Sequence, residues 1–79
     1  MATTANITVS GITKLPNATQ RKFISGTAGL AFLWSADPTM ASSHFCKAEA
    51  GLDLPAFDVY IKPAYANPVQ LTITYYDAV

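Results

Sequence analysis

The chain has 79 residues, one cysteine, one histidine and no net charge. That is one domain, too short to build a large core, with no intrachain disulfide and too few Cys/His ligands for a closed structural zinc site. Zero net charge argues against a nucleic-acid binder, whose footprint is a basic face.

Charged residues make up 13% of the chain, about half the usual share of a globular protein. A wet monomer of this size needs more charge than that. The shortage points to surface covered by further copies or by a partner, and oligomerisation is the staple left to a small core. A monomer with a Ser/Thr/Asn/Gln surface is the plainer alternative. Residues 1–36 carry Lys14, Arg21 and Lys22 and no acid, a net of plus three. Residues 37–79 carry five acids against Lys47 and Lys62, a net of minus three. Such a division could steer head-to-tail packing of copies, and chance unevenness among ten charges is the alternative.

The N-terminal stretch MATTANITVSG lacks the basic and apolar regions of a signal peptide. No run approaches a membrane span in length, and the lone thiol suits synthesis in a reducing compartment. Residues 5–13 alternate, with Ile7 and Val9 on one face and Asn6, Thr8 and Ser10 on the other. This predicts a first strand, bent or bulged at Gly11. Leu15 to Ala18 is turn chemistry. Gln20 to Ser25 predicts a strand, and 26–29 a Gly-rich joint. Leu30 to Ser35 reads as a strand covered on both sides, since both of its faces are largely apolar.

Asp37 begins a loop of small residues. His44 to Lys47 predicts a short strand, although the composition of 40–50 also suits a helix. Gly51 fits a positive-φ turn. Phe57 to Lys62 alternates again, Pro63, Asn67 and Pro68 mark a joint, and Val69 to Tyr76 alternates throughout. The sum is an all-β protein: a small antiparallel β-sandwich or open barrel of six to seven short strands. The expected core is Ile7, Val9, Phe23, Leu30, Phe32, Trp34, Leu54, Phe57, Val59, Ile61, Val69, Leu71, Ile73 and Tyr75.

Few residues suggest chemistry. His44 and Cys46 share a strand face, but nothing supplies the orienting group and oxyanion hole of a nucleophilic pair. No calcium loop, phosphate-cradling glycine loop or nucleophile elbow is present. The reading is a non-enzyme without cofactor or metal. Tyr60, Tyr65, Tyr75, Tyr76 and Trp34 form an aromatic set suited to packing, to protein interfaces or to sugar stacking. The candidate interface residues are Leu33, Tyr60, Tyr65 and Tyr76.

The pieces LAFLWSADPT, HFCKAEAG, FDVYIKP and VQLTITYYDA, in that order, resemble an arrangement found in small virion proteins of tailed bacteriophages. The resemblance covers about two thirds of the chain. It implies a structural role with no catalytic residues: a decoration or cement protein on a capsid, or a tail or fibre module. The absence of a repetitive stalk favours decoration. It also implies a virion location after synthesis in the host cytoplasm, the major capsid protein or another virion protein as partner, and self-association, with a trimer favoured. No nucleic acid and no membrane partner is expected. A carbohydrate- or host-surface-binding module is the alternative, to be recognised by clustered exposed tyrosines.

Overall fold

The computed structural model describes residues 2–77. It contains eight strands: β1 (Ala2–Val9), β2 (Thr13–Lys14), β3 (Gln20–Gly26), β4 (Ala31–Ser35), β5 (His44–Lys47), β6 (Leu52–Leu54), β7 (Tyr60–Pro63) and β8 (Val69–Asp77). The protein is all-β, and its one helical feature among the described residues is a 3₁₀ turn at Ala48–Ala50. Two of the strands have only two and three residues, too few to show a period in the sequence.

The strands form two four-stranded sheets. Sheet A has the order β1-β8-β3-β6 and sheet B the order β2-β7-β4-β5. All pairing is antiparallel. The pairs β1–β8, β2–β7, β3–β6 and β4–β5 each join strands whose numbers sum to nine. They describe one long ribbon folded at the β4–β5 connection. Rolling that ribbon brings β8 beside β3 and β7 beside β4. Every connection except β4–β5 therefore crosses between the sheets, which is the arrangement of a jelly roll.

The expected strand over 5–13 is two strands. β1 ends at Val9, the chain bends at Ser10 and Gly11, and β2 resumes in the other sheet. In the ambiguous 40–50 stretch, 44–47 is strand, and the Ala- and Glu-containing residues after it make only the 3₁₀ turn. Gly51 follows at φ 75°.

The core lies between the sheets. β8 supplies Val69, Leu71, Ile73 and Tyr75, all buried. Each of the three aliphatic side chains contributes about 1.5–3 kcal/mol on burial. Val9, Ile24 and Leu54 lie beside them on the same face of sheet A, and Phe32, Val59 and Ile61 join the cluster from the side of sheet B. Ile7, Leu30, Trp34 and Phe57 are only half-buried at the margin. Leu15 and Ala48, not expected in the core, are fully packed in it.

One expected core residue is corrected. Phe23 points outward and is 41% exposed, while its neighbour Lys22 is fully buried. Alternation allows only one of two adjacent residues inside. Ile24 takes the inner position and carries Lys22 with it. Lys22 sits opposite Tyr75 and Leu54, both inner residues. Its Nζ donates to the carbonyls of Gln20 (2.9 Å) and Phe57 (3.1 Å). The stem fills core space while the ammonium stays hydrogen-bonded. Outside, Phe23 rests over Gly51, where a Cβ would come within 2.8 Å of the ring.

Burial lowers the Lys22 pKa below its ordinary value of 10.5, against the opposing pull of Asp58. Below the folded value, both folded and unfolded chains are protonated and the cost of burying the charge is present in full. Between that value and 10.5 the folded chain loses its proton first, so stability rises with pH. Lys22→Met removes the donors to two carbonyls and is expected to cost about 1–3 kcal/mol in urea unfolding. The gap in favour of the wild type should widen as pH rises towards 10.5, and a narrowing gap would contradict this account of Lys22.

Candidate functional site

Residues directly opposite one another in a sheet share a face. Leu33 of β4 lies opposite Phe45 on one side and Lys62 on the other. Tyr60, two residues before Lys62, shares that outer face of sheet B. Phe45 is 54% exposed and Tyr65 is 63% exposed. Their rings meet edge to face, 6.3 Å between centroids. Beside them lies a depression of about 190 Å³ that reaches Leu30 and Ala31, with Lys47 and Glu49 also lining it. Among the described residues neither Lys47 nor Lys62 has an ion-pair partner.

Three of the four candidate interface residues, Leu33, Tyr60 and Tyr65, therefore come to one face. Tyr76 lies on the other side of the molecule, on the outer face of sheet A. Phe45 was not among the candidates. Its sequence signal is a lone aromatic between the polar His44 and the thiol of Cys46, on a strand with one unoccupied face.

Tyr76 is already engaged. Its hydroxyl donates to Asp53 Oδ1 at 3.1 Å, and the Arg21 guanidinium lies 5.2 Å from its ring centre. Arg21 and Asp53 approach to 3.5 Å. Desolvation, with the Asp53 carboxylate beside it, holds the phenol above its ordinary range. Farther along this face, Thr72 Oγ1 donates to Asn6 Oδ1 at 2.8 Å. A shallow cleft of about 460 Å³ opens there, with Asn6, Thr8, Ser25, Thr27, Gln70 and Thr72 around it. Its side-chain polar groups are neutral hydroxyls and amides.

The charge division between the halves is largely neutralised within the chain. Lys14 approaches Asp58 at 3.8 Å, Arg21 pairs with Asp53, and Lys22 lies in the field of Asp58. The two halves are the two legs of the rolled ribbon, so their charges meet in the folded molecule. This removes the basis for head-to-tail steering.

His44 packs against the Trp34 ring, 4.6 Å between centroids. The Cys46 thiol faces the carbonyl oxygens of Lys47 (3.4 Å) and Gly51 (4.0 Å). Burial raises its pKa, the reverse of what activates a nucleophilic thiol. Among the described residues no three His, Cys, Asp or Glu side chains gather as metal ligands. Among these residues, too, no helix is long and apolar enough to cross a membrane. Labelling of Cys46 with a disulfide reagent at pH 8 should be at least about tenfold slower in the folded than in the urea-unfolded protein. Equal rates would show an exposed, activated thiol.

The fold and these surfaces define a small jelly-roll sandwich whose distinctive groups lie on its outer faces. Comparison with family models, with curated proteins and with solved structures finds no match to the chain.

Proposed function

We propose that the protein is a structural virion protein, a capsid decoration or cement protein that docks on a preassembled shell through the outer face of sheet B. The observation that carries this reading is the exposed Phe45–Tyr65 pair beside Leu33, an apolar cluster with two lysines at its margin. Aromatic side chains of this kind are the common anchors of protein interfaces. The sparse charge supports the same reading, because a cement protein stabilises by burying its own surface. Jelly rolls also occur in viral capsid domains, an analogy of fold rather than of site. The partner is the major capsid protein or another virion protein, and binding repeats at each symmetry-related position of the shell. Copies of the chain also associate with one another.

A second reading has its own observation. The neutral hydroxyl- and amide-lined cleft on sheet A suits a saccharide, which would make the protein a host-surface or carbohydrate module.

Co-sedimentation with empty shells lacking the protein separates the two readings, with polysaccharide and single-stranded DNA as controls. Phe45→Ala and Tyr65→Ala should each weaken shell binding by about 30-fold, from an anchor contribution of about 2 kcal/mol. Lys62→Ala should weaken it by less than about fivefold, as for a rim charge. Retention on polysaccharide without shell binding would overturn the decoration reading and favour the cleft.

A further inference from the structure

The four edge strands of the sandwich differ in a way that bears on self-association. β2 has two residues, includes Lys14 and is followed closely by Pro16. β6 has three residues, is centred on Asp53 and runs into Pro55. β5 has four residues and ends on Lys47. Shortness, charge and proline are the usual protections of a sheet edge against pairing with another chain.

β1 has none of them. It is eight residues long, ATTANITV, without charge, proline or glycine. Its register with β8 holds a constant sum of 78 from Ala2↔Tyr76 to Val9↔Val69, so no bulge interrupts it. It pairs on one side only. Ala5 and Ile7, on its core face, are only partly covered. We infer that β1 is a dimerisation edge, pairing antiparallel with β1 of a second copy to join two copies of sheet A into one continuous sheet.

A second copy is the favoured occupant because the edge is complementary to itself. A strand without charge can meet its own image about a two-fold axis without opposing like charges. An axis normal to the sheet keeps core face beside core face only when paired residue numbers sum to an even number. A sum of twelve places Asn6 opposite its own image, Ala5 opposite Ile7, and Thr4 opposite Thr8. Each half-covered Ile7 is then shielded by the Ala5 of the other copy. The inference goes beyond the docking role, since it concerns a different surface and holds with no shell present.

Sedimentation equilibrium of the purified full chain tests it. The wild type should be a dimer, in place of the trimer that the virion resemblance favours. Thr4→Lys combined with Thr8→Lys opposes two lysine pairs across the axis and should weaken dimerisation by about tenfold or more. Thr4→Lys combined with Thr8→Glu pairs Lys with Glu across the same axis and should restore it. Both threonines are exposed on the outer face, and far-ultraviolet circular dichroism checks that each variant is folded. Phe45→Ala should leave the dimer intact, so failure of the shell reading and failure of this one give different results. A monomeric or trimeric wild type, equal behaviour of the two double variants, or dissociation by Phe45→Ala would each overturn the inference.

Discussion

The structure depends on the alternation of β8. This strand lies inside sheet A with β1 on one side and β3 on the other. Its inward residues Val69, Leu71, Ile73 and Tyr75 are all buried. A one-residue slip would exchange these for Gln70, Thr72, Thr74 and Tyr76. The hydrophobic pattern of one strand thus fixes the register of both its neighbours. Because β3 is locked to β8 with Ile24 opposite Ile73, the fates of Lys22 and Phe23 follow. One is drawn into the core and the other is turned out over Gly51.

That chain of consequences marks what could be read from the sequence. The β8 alternation was legible because nine residues give several periods of two. The burial of Val59 and Ile61 was legible for the same reason, and the backbone bonding reaches back to Val59, whose carbonyl accepts from the Leu15 N–H at 2.9 Å. Phe23 was misread because hydrophobicity was weighed residue by residue. The period through Ile24 would have put Lys22 inside, at odds with its charge. The carbonyls of Gln20 and Phe57, brought to its ammonium by the fold, and the nearby Asp58 carboxylate make that position tenable. β2 and β6 escaped notice because their existence depends on their partners rather than on their own sequence. The bend at Gly11 was legible in the sequence, but that it carries the chain into the other sheet was not, because a local pattern does not encode the passage between sheets.

The candidate surface was legible in part. Tyrosine enrichment pointed to exposed aromatics, yet their grouping depends on which strands lie side by side. Tyr65 meets Phe45 only because the β7–β8 connection passes near the β4–β5 edge. Tyr76, close to Tyr60 in character, lies on the opposite face and is occupied by Arg21 and Asp53. The same ribbon geometry that separates the tyrosines brings the basic and acidic halves together. The cations Lys14, Arg21 and Lys22 of the first half thereby lie beside Asp53 and Asp58 of the second.

On this account function resides in surfaces: an aromatic cluster on sheet B for a shell, and a free edge on sheet A for a second copy. A side-chain-resolution reconstruction of the particle carrying the protein tests the central claim most directly. The account predicts that the outer face of sheet B lies against the shell, with the Phe45 and Tyr65 rings buried in the contact and the outer face of sheet A turned to solvent. A reconstruction with sheet A against the shell, or with both rings in solvent, would contradict it.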